Sequence, residues 1–226
     1  MPRRQRWVAR LKKIKIPVYC YLLAVIIWLA TSAVACIGDA ISHANGSLSE
    51  QSLVPADFAL YDMELQPDGS YLCTSDDPQM ILSSLDGQVR TLRFWADYSG
   101  YSFEMNLYYT TSPGPEQNGG RFGETRRVWP VEQEDGSYLF TLPRQTMYAL
   151  RLDPASAPAS QELTITFEGI LLLNEPVSTL SYFNPGWAGL ATLLILPAFL
   201  AALVRWLLDL IRHYHFARKH KMPNTA

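Results

Sequence analysis

Arg93, Trp95, Glu104, Asn106 and Tyr108 are the residues whose types and spacing most readily suggest chemistry in this chain. They fall at alternate positions in two neighbouring runs, "VRTLRFWADY" and "YSFEMNLYYT", joined by Ser99-Gly100. In a strand, every second side chain points to the same face. A hairpin with Tyr98 opposite Tyr101 would set Ala96 against Phe103, Phe94 against Met105 and Leu92 against Leu107 on its inner side. Its outer side would set Trp95 against Glu104, Arg93 against Asn106 and Thr91 against Tyr108. There an indole and a phenol offer flat platforms for the C–H face of a sugar ring, and Arg93, Glu104 and Asn106 offer planar polar groups for its hydroxyls. The same pairs also occur on plain solvated sheet faces, where each contributes about 0.2–1 kcal/mol.

Other chemistry is poorly supplied. The one histidine between Gly38 and Pro185, His43, lies beside the first apolar run and outside the strand region, which leaves no Ser-His-Asp set to assemble. Cys20, Cys36 and Cys73 lack metal-ligand spacing, and no cofactor is expected. "GGRFGE", within the loop that follows Thr111, has glycines in a phosphate-loop manner but no Lys-Ser/Thr pair and no helical period after it. That loop reads as a binding lip or an edge connection. Acids are plentiful, so a pair of carboxylates of the glycosidase kind stays open on composition, beside the plainer reading that they keep the domain soluble. No catalytic residue is assigned. "NGS" at Asn45 would be a glycosylation sequon only in a host that glycosylates there.

The elements that position these residues read as strands. "ALYDMEL" alternates so as to put Tyr61, Met63 and Leu65 on one face. Turns are expected at Pro67–Gly69, Asp86-Gly87 and Asp135-Gly136, because glycine accepts positive φ and aspartate can bond its own backbone. "SYLFTLP", "MYALRLDP" and "LTITFEGILLL" complete some eight to ten strands, the pattern of an all-β sandwich of jelly-roll type over residues 56–175.

Two uncharged apolar runs flank that region: Ile16–Ile37 and Gly186–Val204. About 20 helical residues cross a hydrocarbon core of roughly 30 Å, so both are expected to span a lipid bilayer. The expected organisation is a basic N-terminus (1–15), a first span (16–37), a linker (38–55), the sandwich (56–175), a second linker (176–185), a second span (186–208) and a basic tail (209–226). The overall charge of −2 conceals a partition. The ends are rich in Lys and Arg, while Gly38–Pro185 holds seven arginines, no lysine and twenty acids, a net −13. Basic flanks stay cytoplasmic, which puts both termini inside and residues 38–185 outside the cell membrane. An acidic middle excludes nucleic acid as its partner. His213, His215 and His220, among basic residues, suit lipid headgroups better than a metal. The first run, with "AVA" at Ala33–Ala35 and Cys36 after it, also has features of a cleavable signal, although it is long for one.

The ordered series "LYYTT…GRFGETRRV", "GSYLFTLP" and "YALRLDPASAPASQELTITFEGILLLN" resembles the extracytoplasmic β-sandwich module of bacterial membrane proteins of cell-surface polysaccharide synthesis, over Leu85–Asn174. That module often accompanies polytopic glycosyltransferases. The resemblance implies a cell-envelope setting, a surface glycan as ligand and a polytopic membrane glycosyltransferase as partner. A single apolar run follows the module here, so transferase activity is not implied. The expected function is a membrane-anchored carbohydrate-binding or accessory module. The alternatives are a structural subunit of a membrane complex and an extracytoplasmic glycan hydrolase.

Overall fold

Fourteen strands and two long helices make up the described part of the computed structural model, which covers residues 16–102, 104–113, 122–156 and 162–220, side chains 84, 86 and 215–220 excepted. Phe103, most of the loop after Thr111, residues 1–15 and residues 221–226 lie outside it. The chain divides into a β unit, Asp39–Val177, and a helical unit formed by Met1–Gly38 with Ser178–Ala226.

In the β unit every strand pairing is antiparallel. The first sheet contains β1 (Gln51–Leu53), β6 (Thr91–Phe94), β10 (Val131–Glu132), β11 (Tyr138–Thr141) and β14 (Leu171–Leu173), in the order β1-β14-β6-β11-β10. The second contains β2 (Ala59–Tyr61), β5 (Gln79–Gln88), β8 (Asn106–Thr110), β9 (Arg127–Val128) and β12 (Thr146–Asp153), in the order β2-β5-β12-β8-β9. The third contains β3 (Met63–Leu65), β4 (Tyr71–Cys73), β7 (Ala96–Tyr98) and β13 (Leu163–Phe167), in the order β3-β4-β13-β7. The first and third sheets share two chain passages, β6 into β7 and β13 into β14, and the Glu168 N–H donates to the Trp95 carbonyl at the joint (2.9 Å). One apolar core draws on all three: Leu92, Phe94, Phe140 and Leu171 from the first, Met80, Leu107, Leu150 and Leu152 from the second, Tyr71, Leu163 and Ile165 from the third. The unit is thus mostly β, with sandwich-like sheets. Removing each such side chain from water contributes roughly 1.5–3 kcal/mol.

The hairpin expected over Val89–Thr110 does not form. β6 pairs with β11 and β14, β7 with β13, and β8 with β12 and β9. After Tyr98, the Ser99 N–H bonds the Thr164 carbonyl (3.0 Å), so the chain continues alongside β13 instead of reversing. The described inner residues nevertheless face the core: Leu92, Phe94 and Leu107 are buried, and Ala96 and Met105 pack against it. Alternation fixes which side a residue faces, and it is blind to which strand lies alongside.

Two further expectations are corrected. "ALYDMEL" is not one strand. Asp62 takes φ 56° and carries the chain from the second sheet into the third, leaving Tyr61 exposed and Met63 buried. Aspartate tolerates that left-handed backbone better than most residues, and its carbonyl accepts from Thr74 N–H (2.9 Å). Asp86-Gly87 is not a turn but lies within β5, where the register against β12 slips between Gly87↔Met147 and Ser83↔Ala149, a bulge. The other two Asp-Gly pairs are turns. Gly69 and Gly136 sit at φ 87° and 79°, and Gln66 and Gln133 each bond the serine carbonyl four residues on (2.8 Å in both).

In the helical unit, α1 begins at Ile16 and α2 spans Gly186–His220, with Pro197 inside it. Both are long and apolar enough, by length and composition, to cross a membrane. Tyr21 Oη donates to the Leu194 carbonyl (2.8 Å). α1 runs on to Ala44, and its end belongs to the β unit. There Asp39, 5 % exposed, pairs with Arg90 (3.3 Å) and with Arg144. Two guanidiniums compensate a carboxylate that burial would otherwise disfavour.

Candidate functional site

The five residues singled out from sequence fall in two places. Arg93 and Trp95 belong to the first sheet and its joint with the third. The Arg93 guanidinium lies 4.9 Å from the Trp95 ring centroid, donates to Glu175 (2.9 Å) and Ser137 Oγ (2.8 Å), and pairs with Asp135. The hydrogen bond to Glu175 raises its already high pKa, against the opposing effect of burial. Every one of these partners ties loop to strand, so Arg93 is engaged in holding the first sheet's outer face together.

Glu104, Asn106 and Tyr108 come together elsewhere, at the second sheet. Residues Asn106, Tyr108 and Thr110 of β8 face away from the core, while Leu107 and Tyr109 face into it. In register across from them on β12 stand Asp153, Arg151 and Ala149, and across from Tyr108 on β9 stands Arg127. Arg151 grips Asp153 with two hydrogen bonds of 2.7 Å each, reaches both oxygens of Asp77 at 3.1 Å, and sits 5.0 Å over the Tyr108 ring. This parallel, two-pronged geometry is the strongest that arginine and carboxylate make. Burial pushes the Asp153 carboxyl up to about 6, against the pull of Arg151. Asn106 Oδ1 and Thr110 Oγ1 are buried without a hydrogen-bond partner among the described residues. Such an orphan costs about 1–3 kcal/mol.

The open end of the face is built around Trp129. Arg127 and Trp129 are two residues apart. The guanidinium carbon lies 4.6 Å from the indole centroid. Arg127 pairs with Glu124 at 3.1 Å and approaches Glu104 at 3.7 Å. Trp129 Nε1 donates to Glu104 Oε1 (3.2 Å), and Tyr108 Oη reaches Glu124 Oε1 at 3.4 Å. Tyr108 is buried, and that burial raises its phenol pKa. Trp129 is 55 % exposed. The result is an open indole edged by two carboxylates and one guanidinium, all held in place by one another. Planar groups of this kind, fixed beside an aromatic surface, can bond ring hydroxyls while the indole packs on C–H groups.

Sequence reasoning reached Glu104, Asn106 and Tyr108 and missed Arg127, Trp129, Arg151 and Asp153. The alternation in "RRVW" was available as a signal that Arg127 and Trp129 share a face. Nothing local connects Arg151 to Tyr108, because that contact depends on β12 lying between β5 and β8.

No protein-family profile matches the chain, and no curated protein matches it significantly. Among solved structures, similar chains include a low-affinity xylan-binding module, CBM86, from Roseburia intestinalis, at 11 % identity over 55 % of this chain and 93 % of that one, with a TM-score of 0.35. Another is CsCBM6-3 from Clostridium stercorarium, solved with cellobiose, at 8 % identity over 54 % of this chain and 95 % of that one, with a TM-score of 0.25. Neither likeness carries a ligand to this chain.

Proposed function

We propose that the chain is a membrane-anchored carbohydrate-binding or accessory module of jelly-roll type. The two long apolar helices hold the β unit at the cell surface, with both termini cytoplasmic and residues 38–185 outside. The observation that carries the binding reading is the exposed Trp129 indole, framed by Glu104, Arg127 and Glu124 at one end of an outward sheet face. Tyr108 and Asn106, expected on an open outer face, are instead buried behind it on β8, and support the corner from beneath. In this reading the module serves cell-surface glycan synthesis or assembly beside a polytopic glycosyltransferase. The carboxylates of the inner strip are engaged by Arg151, which favours recognition over hydrolysis by a free acid pair. Arg93 and Trp95 are assigned to the opposite role, holding the first sheet.

The test is a glycan array probed with the full chain in lipid nanodiscs, beside Trp129→Ala and Trp95→Ala. Glycan signal is expected from the wild type, reduced about tenfold or more by Trp129→Ala, which is roughly 1.4 kcal/mol. Trp95→Ala is expected to retain it. Signal that survives Trp129→Ala undiminished removes this corner as the site, and a folded chain with no glycan signal removes the function.

A further inference from the structure

We propose that the Trp129 corner selects glycans carrying protonated amines over neutral or acidic ones, an inference that rests on the glycan-binding reading above. Four observations converge on it. The corner sets two carboxylates, Glu104 and Glu124, against one guanidinium, so its own charge is −1. That guanidinium is paired through Nη1 with Glu124 at 3.1 Å and lies 3.7 Å from Glu104, so its positive charge is set against both carboxylates, while its Nε is buried. The Arg127 guanidinium covers the indole at 4.6 Å from its centroid, as expected of a ring whose face is negative, and the ring, 55 % exposed, leaves its uncovered part to a second cation. Both carboxylate side chains remain open, 45 % and 73 % exposed, beside a tryptophan that is itself more than half open. An ammonium group seated next to the ring therefore meets both the ring's negative face and a carboxylate oxygen with room to accept.

The field of the whole β region acts in the same sense. Gly38–Pro185 carries a net −13 and no lysine. Such a surface draws cationic chains toward it and repels uronates and phosphorylated glycans, within a screening length of about 8 Å at physiological salt. The corner adds the short-range part, which a diffuse field lacks: the ring and the two carboxylates fix where the amine sits.

Calorimetry on the full chain in phosphatidylcholine nanodiscs tests this with three probes: β-1,4-glucosamine oligomers, their N-acetylated counterparts and oligogalacturonates. The amine-bearing oligomer is expected to bind about tenfold or more tighter than the acetylated one at low salt. The gap should shrink as salt rises and narrow in Glu104→Gln. Trp129→Ala should weaken the amine-bearing oligomer by a similar factor. Equal or tighter binding of the acetylated oligomer overturns the charge preference and leaves the glycan reading standing, as does tightest binding of the uronate. Amine binding that is unchanged in Trp129→Ala is diffuse attraction to an acidic surface and overturns the site. If none of the three binds while the array shows another glycan that depends on Trp129, the amine preference falls alone. If the array is also silent, both fall.

Discussion

Among single residues, Phe94 and Trp129 mark the two extremes of what an aromatic side chain does here. Phe94 is 1 % exposed and touches the rings of Tyr138, Phe140 and Phe167. Phe94→Ala is expected to destabilise the β unit by about 3–5 kcal/mol, since it opens a cavity that three rings cannot collapse into. Trp129→Ala should cost less than about 1 kcal/mol, because its ring is mostly in water. Denaturant unfolding of both variants checks the contrast, and equal losses would mean that Trp129 is part of the fold's support. Asp153 gives a prediction in pH. Its carboxyl holds a proton more tightly in the folded chain than in the unfolded one, being raised from 3.8 to about 6 by burial. Its contribution to stability is therefore greatest below the ordinary carboxylate value and is lost as pH climbs through about 6. A carbon-13 titration of the side chain should show its midpoint near 6, and Asp153→Asn should flatten that part of the stability profile. A midpoint below 4 would show that Arg151 outweighs burial.

Elements tell a more uneven story about what a sequence discloses. The two Asp-Gly turns at residues 68–69 and 135–136 were legible, because the φ they need is a property of glycine itself. Gly136→Ala should accordingly destabilise by about 1 kcal/mol or more, measured by thermal unfolding. The inward set Leu92, Phe94 and Leu107 was legible too, since period-two alternation is local. Strand partners were not. Short runs of similar alternation leave many pairings equivalent until the whole sheet is assembled, and the run nearest in sequence is not the neighbour in space. The candidate residues divide for the same reason: Arg93 lies on β6 in the first sheet and Trp95 just after it, while Asn106 and Tyr108 lie on β8 in the second sheet, beside β12. Paired cysteines can verify the assembly. With the native cysteines replaced, Cys at Arg93 and Leu139, which are opposite one another in the first sheet, should oxidise to a disulfide. Cys at Arg93 and Asn106, opposite in the hairpin, should not. The reverse outcome would restore the hairpin.

At the scale of the whole molecule, the topology proposal is open to direct labelling. Single cysteines placed in the basic tail and at an exposed position such as Ser52 should differ on intact cells. An impermeant maleimide is expected to label residue 52 and to spare the tail. Labelling of the tail would overturn the cytoplasmic assignment. A further consequence follows from β1 lying at the edge of its sheet, paired antiparallel with β14 through Gln51↔Leu173. The chain thus enters and leaves the sandwich on adjacent strands, at the same end of that pair. Tension applied at Gln51 and Leu173 themselves, once the Asp39 pairs with Arg90 and Arg144 ahead of β1 have parted, would open the β1–β14 hydrogen bonds one after another, as a zipper parts, instead of loading them together in shear. A domain loaded this way yields to a pull a bond at a time: it is mechanically soft at its seam, whatever the strength of the core behind it.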